Sequence, residues 1–277
     1  MRILFATDGS RGAGVAEDFL LSLPLSCADD VTVVMVPSGS DDEAHQIVSK
    51  CRSRLAGRHV LVTTLLLRHG SPAEILESVA LERASELIVI GSRGRGTLAG
   101  TVLGSMARAL ARTAPVPVLV VRSRREAPRH VLLAIDDSID GRAAVDALVK
   151  LPIPRMARIT VVHILAAATG EPVWLDVAEF ARQRFGDRIS DQVLVERGHV
   201  GDEVLRRGII DGTDLIVLGV RDQTQGTGLL NTSVADHVLA NAHCAVLVAK
   251  APTQARTVNL GIRTDMVAFG LTHEARA

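Results

Sequence analysis

The sequence predicts an α/β protein of two tandem doubly wound domains, each with a mainly parallel five-stranded sheet. Three observations predict it. Short apolar, β-branched runs such as Leu87-Ile-Val-Ile90 show no alternation with polar residues, as strands buried on both faces of a parallel sheet require. These runs alternate along the chain with segments of helical spacing, the order of β-α-β units. The second half also repeats the first. Ile3-Leu-Phe-Ala-Thr-Asp8 matches Val131-Leu-Leu-Ala-Ile-Asp136, and Leu87-Ile-Val-Ile-Gly91 matches Leu215-Ile-Val-Leu-Gly219, both at an offset of 128 residues (8 to 136, 91 to 219). The same offset takes Leu23-Pro24 to Leu151-Pro152, Gly70 to Gly198 and Val118-Leu119-Val120 to Val246-Leu247-Val248.

Taken in order, the first strand covers Ile3 to Ala6 and ends at Thr7-Asp8-Gly9-Ser10. Ser10 can cap a helix whose apolar face is Ala13, Ala16, Phe19, Leu20 and Leu23, closed by Pro24. A second strand, Val31 to Val36, leads through the polar loop Ser38 to Asp42 into a helix from Ala44 to Leu55, and the third strand is Val60 to Leu67. Ser71 and Glu74 have capping-box spacing, with Pro72 where its missing N–H costs nothing, so a helix follows as far as Ala84. After the fourth strand, Ser105 is a candidate N-cap for a helix from Met106 to Arg112 with Met106, Ala109 and Leu110 inward. The fifth strand lies in Pro115 to Val121, with its prolines confined to the start.

The divisions are a first repeat over 1–122, a linker over 123–129, a second repeat over 130–250 and an extension over 251–277. The linker is charged and contains Pro128, as an exposed join would. In the extension, Val258, Leu260 and Ile262 and then Val267, Phe269 and Leu271 flank Arg263-Thr-Asp265; a hairpin and a disordered tail are equal readings, and an ordered hairpin could cover a sheet edge or hook a partner.

At 277 residues, 47% of them apolar, the chain can bury large cores. Its 31 basic residues balance 31 acidic ones, so there is no field drawing it to nucleic acid or an anionic membrane, and neither is an expected partner. Cys27, Cys51 and Cys244 form no Cys-x-x-Cys pair and read as buried reduced thiols, and the nine histidines show no zinc spacing. No leader pattern precedes the first strand and no apolar run approaches the ~20 residues of a membrane span, so a cytoplasmic location is expected.

The chemistry concentrates between Leu87 and Ser105, where a buried strand runs into a loop with Gly91, Gly94, Gly96 and Gly100 and then a helix start. Glycines bring backbone N–H groups close to a ligand, and a helix N-terminus adds unpaired amides and a positive dipole end, so the arrangement suits phosphate. It is not a P-loop, which needs Gly-Lys before Ser or Thr, nor the tight dinucleotide fingerprint. A plain strand-to-helix loop remains the alternative. The spacing Gly-x2-Gly-x9-Gly-Ser, carried by Gly91, Gly94, Gly104 and Ser105, resembles the nucleotide-binding signature of the universal stress protein family.

The resemblance covers roughly 1–122 and 129–250. It implies a Rossmann-like fold of the adenine-nucleotide α-hydrolase-like type, with strands one and four adjacent at the switch point where ligands collect. It implies ATP with Mg²⁺ held through the phosphates, leaving AMP open. Asp8 would sit near the ribose or the metal, and Val36 would contact adenine through its backbone. Gly91 and Gly94 would line the ribose and phosphates, and Gly104, Ser105 and Met106 the distal phosphates. Taken alone, Asp8 also reads as a turn or cap aspartate, and Val36 as any strand end. The implied function is a nucleotide-binding stress-response regulator acting through conformation or a protein partner; a slow ATPase and an interaction module without nucleotide are the alternatives. No catalytic residue is assigned, since spacing ties no histidine or glutamate to the loop and Ser105 has no evident activating partner. The repeats are expected to pair as a pseudo-dimer through Val116–Val121 and Ala245–Ala249, whose apolar edges invite association, with a homodimer of whole chains as an alternative.

Repeat two departs from the motif. At the same offset Gly9 becomes Asp137, Gly94 becomes Asp222, Gly96 becomes Thr224 and Gly104 becomes Thr232, while Asp8 and Ser105 persist as Asp136 and Ser233. A carboxylate ~4 Å from a phosphate charge, at an effective dielectric of ~20, costs about 4 kcal/mol, close to a thousandfold in affinity. One nucleotide per chain, in repeat one, is therefore expected.

Overall fold

The computed structural model describes residues 1–37, 40–58, 60–66, 70–94, 103–122, 126–136, 138–165, 176–189, 194–197, 199–220 and 234–251. Repeat one contributes β1 (Arg2–Ala6), α1 (Arg11–Ser22), β2 (Asp30–Met35), α2 (Asp41–Ala56), β3 (Leu61–Leu66), α3 (Pro72–Glu82), β4 (Leu87–Gly91), α4 (Ser105–Thr113) and β5 (Val118–Val121). Repeat two contributes β6 (His130–Ala134), α5 (Ile139–Lys150), β7 (Arg158–Leu165), α6 (Asp176–Phe185), β8 (Leu194–Arg197), α7 (Val200–Ile210), β9 (Leu215–Gly219), α8 (Val234–Asn241) and β10 (Ala245–Ala249). All ten strands join one sheet in the order β3-β2-β1-β4-β5-β10-β9-β6-β7-β8. Every pairing is parallel except β5 with β10.

The pleat explains why the strands read as unbroken apolar runs. Ile3, Phe5, Leu87 and Val89 point to one face, where Ala16, Phe19 and Leu20 of α1 cover that part of the sheet, and the same core continues in repeat two under Ala144, Val145 and Leu148 of α5. Leu4, Ala6, Ile88 and Ile90 point to the other, in the same core as Leu76 and Val79 of α3 and Leu110 of α4, which continues in repeat two to Val238 and Leu239 of α8. Each face is a single core that crosses from one repeat into the other.

The crossing point is symmetric. Val246 pairs with Val120, Leu247 with Leu119 and Val248 with Val118, so Leu119 faces its own equivalent, Leu247, across a pseudo-twofold axis. Beside this axis Arg112 of α4 holds Asp236 of α8 with Nε at 3.2 and 3.1 Å from the two carboxylate oxygens. The Arg122 guanidinium donates to the carbonyl of Leu239, and its positional equivalent Lys250 donates to the carbonyl of Arg112. Each repeat thus places a cation at the negative end of the other's helix. A separately expressed 1–122 fragment should therefore dimerise or aggregate through its bare β5 edge. Size-exclusion chromatography tests this, and a soluble monomer at high concentration would count against it.

Several local expectations change. Ser40, not Ala44, starts α2: its Oγ accepts from the Glu43 amide at 3.4 Å, and Asp41, Asp42 and Glu43 occupy the positive end of the helix, so the polar loop is shorter than its composition suggests. The Ser71 side chain makes no cap hydrogen bond, although Pro72 does take the first helical position. α3 stops at Glu82, because Ala84 turns to a positive φ of 48°. Gly104, rather than Ser105, is the N-cap of α4, and its buried residues are Ala107, Leu110 and Ala111, with Met106 and Ala109 only partly covered. β5 starts at Val118 because Pro117 has no N–H; its carbonyl still accepts from Ile88 at 2.9 Å. Cys27 is exposed, while Cys51 and Cys244 are buried and burial pushes the Cys51 thiol up. The join is not wholly solvated, since Pro128 is buried and Ala127 packs on the core, while Arg129 and His130 both donate their amides to Asp214 at 3.0 and 3.1 Å. Leu67, residues 123–125 and the extension from 252 onward lie outside the described residues.

Candidate functional site

β1 and β4 are adjacent and parallel, and each ends at the same edge of the sheet, so the turn after β1 faces the loop after β4. Gly9 has a φ of 72°, which reverses the chain so that the Ser10 amide donates to Asp8 Oδ1 at 2.9 Å. Asp8 is therefore a turn aspartate, and Ser10 caps α1 by accepting from Ala13 at 3.2 Å. Its hydroxyl also donates to the carbonyl of Arg93 at 3.4 Å, which ties α1 to the glycine loop.

The glycines serve close approach rather than unusual dihedrals, since neither Gly91 nor Gly94 has a positive φ. A Cβ on Gly91 would lie 2.5 Å from the carbonyl carbon and oxygen of Gly12, and one on Gly12 would lie 2.1 Å from the Arg93 oxygen. The first turn of α1 is pressed onto the strand end. At Gly94 a Cβ would stand 2.7 Å from Asp8 Oδ2, so the missing side chain is what leaves the carboxylate its place. Gly104 returns the chain to the same spot: its amide donates to the Ser92 carbonyl at 2.8 Å. Gly104 has no side chain with which to cap α4 and none caps it among the described residues, so the amides of Ser105, Met106 and Ala107 at its start suit an external anion.

Of the seven residues expected at the site, the fold brings Asp8, Gly91, Gly94 and Gly104 together, with Ser105 opening α4 beside them. The Met106 side chain turns to the second core, leaving its amide on the site side, and Val36 lies just past the end of β2, partly buried against the same core. Positive charge gathers at the rim, where Arg93 is exposed and close enough to Arg122 that burial, reinforced by Arg93, pushes the Arg122 guanidinium down to about 10.

Repeat two keeps part of this geometry. Asp136 holds the Ser138 amide at 3.2 Å, Ser138 caps α5, and a Cβ on Gly219 would lie 2.5 Å from the Asp140 oxygen, as Gly91 does against Gly12. The expected replacements Asp137, Asp222, Thr224 and Thr232, and the retained Ser233, all lie outside the described residues. One substitution escaped the sequence reading: Gly12 becomes Asp140, a buried aspartate whose Oδ1 accepts from Ala251 at 2.9 Å. The offset that revealed the duplication could have found it, but Gly12 stands outside the glycine motif.

The family model described as the universal stress protein family matches residues 1–122 and again 128–250. One curated universal stress protein of Mycobacterium tuberculosis is 28% identical over 233 residues, covering 76% of this chain and 78% of the relative. Another from the same organism is 26% identical over 275 residues, covering 90% and 96%. Among solved structures, a universal stress protein from Archaeoglobus fulgidus superposes with a TM-score of 0.65 at 18% identity over 90% of this chain and 98% of that one, a likeness of fold alone. Among the described residues no helix is long and apolar enough to cross a membrane. With both halves matched by one family model, the chain belongs to the universal stress protein family as a tandem of two repeats.

Proposed function

We propose that repeat one binds ATP, with Mg²⁺ carried by the phosphates, and that the protein works as a stress-response regulator whose output is a change of conformation or of protein partner. The observation that carries this reading is the meeting of Asp8, Gly94 and the glycine-capped start of α4 at the switch point between β1 and β4. The donor set suits the guest: amides of Ser105 and Met106 for distal phosphates, the Asp8 carboxylate for ribose or metal, and Arg93 at the rim. Val36, just past the end of β2, would offer its backbone groups to adenine. In repeat two, the aspartates in place of Gly9, Gly12 and Gly94 oppose a second nucleotide.

ATP with Mg²⁺ should therefore stabilise the chain against heat, by about 2.7 kcal/mol at a hundred times its dissociation constant. GTP should do much less. Calorimetric titration should give one nucleotide per chain. Equal thermal shifts from the two nucleotides would remove the adenine assignment, and a stoichiometry of two would remove the asymmetry.

A further inference from the structure

In repeat two, α7 and α8 bring His199, Asp202 and His237 together, with one ligand atom from each lying within 4.8 Å of the others. His199 Nδ1 is 3.2 Å from Asp202 Oδ2, and His237 Nε2 is 2.8 Å from Asp202 Oδ1. The two imidazoles meet edge to face with centroids 5.5 Å apart. Sequence spacing hid the group, because His237 is on another helix and only the packing of α7 on α8 joins them.

We propose that these three side chains bind a divalent transition metal of the zinc type. Two imidazoles and a carboxylate are a borderline donor set that suits Zn²⁺, whereas Mg²⁺ and Ca²⁺ call for oxygen alone. Zn–N and Zn–O bonds of ~2.0–2.1 Å put tetrahedral ligand atoms roughly 3.3 Å apart, so the two histidine–carboxylate separations, 3.2 and 2.8 Å, need to open by only tenths of an ångström, and the three ligand atoms already lie within 4.8 Å of one another. A fourth position is left to solvent.

Comparison of the repeats supports a built site. At the 128 offset His199, Asp202 and His237 correspond to Ser71, Glu74 and Ala109, a set with no imidazole. The residue between them changes in step: Ala73 in repeat one is Gly201 in repeat two. A Cβ on Gly201 would lie 2.7 Å from the His237 ring, so the loss of that methyl makes the room the imidazole occupies. His199 stands at the α7 N-cap without making a side-chain cap bond, and removing it costs the helix little.

The test is titration of the metal-free full chain with ZnCl₂, by calorimetry and by thermal shift, with circular dichroism as the fold control. The wild type should take up zinc at this site, and His199→Ala and His237→Ala should each weaken uptake by at least about tenfold, the loss that even an outer-shell partner can cause. Cys27→Ser should bind as the wild type does. No zinc uptake by the wild type, unchanged binding in both folded histidine variants, or a loss confined to Cys27→Ser would each overturn the proposal.

Discussion

Gly94→Asp should abolish ATP binding with the fold intact. The position is a partly exposed loop residue with an ordinary φ, so the backbone tolerates a side chain. The space does not, because a Cβ there meets Asp8 Oδ2 at 2.7 Å. An aspartate also sets a second carboxylate beside Asp8 and the phosphates, about 4 kcal/mol for one like-charge pair at ~4 Å, or roughly a thousandfold in affinity. Gly94→Ala, which displaces Asp8 without adding charge, should fall between. Stability should fall by about 1 kcal/mol, the worth of the Asp8–Ser10 hydrogen bond that the displaced carboxylate would weaken. The measurement is ATP titration of each variant, with circular dichroism to confirm folding. If Gly94→Asp binds with wild-type affinity, the loop is not the phosphate site.

Gly91→Ala should do the reverse and damage the fold first. Its Cβ would stand 2.5 Å from the Gly12 carbonyl and 2.9 Å from the Ala13 amide, backbone atoms that cannot swing aside. α1 would have to lift from β4 and drag Ala13, Ala16, Phe19 and Leu20 with it, a loss of about 3 kcal/mol, at the upper end of overpacking costs. Gly219→Ala should cost a similar amount, since its Cβ meets the Asp140 carbonyl carbon and oxygen at 2.6 and 2.5 Å. Gly14→Ala is the control. Nothing lies within 4 Å of its Cβ and it sits inside α1, so stability should hold or rise by up to about 1 kcal/mol. Urea midpoints decide the matter, and equal midpoints for Gly91→Ala and wild type would show that the contact yields.

Features governed by local pattern were legible in the sequence. The runs at Ile3–Ala6 and Leu87–Ile90 announced strands buried on both sides, Ser10 announced its cap, and the apolar β5 and β10 edges announced the pairing that centres on Leu119 and Leu247. What depended on tertiary approach was not. Nothing in the motif says that Gly91 and Gly94 are small for the sake of Gly12 and Asp8, and close approach to a ligand was the reason their pattern offered. Gly104 and Ser105 are both good cap residues, so composition could not choose between them. Pro128 and Cys27 went opposite to their expected exposures because chain neighbours do not determine which segments pack over a junction.

The antiparallel β5–β10 pair has a consequence for dosage. In a dimer of separate chains, halves part on dilution and the apparent stability follows concentration. Here both halves lie on one polypeptide joined across a short connection, which keeps them at the millimolar effective concentration typical of a short tether, whatever the copy number. The ratio of a motif-intact half to a motif-poor half is locked at one to one, with no exchange into symmetric pairs. A cell can therefore lower the amount of this protein without changing what each molecule is.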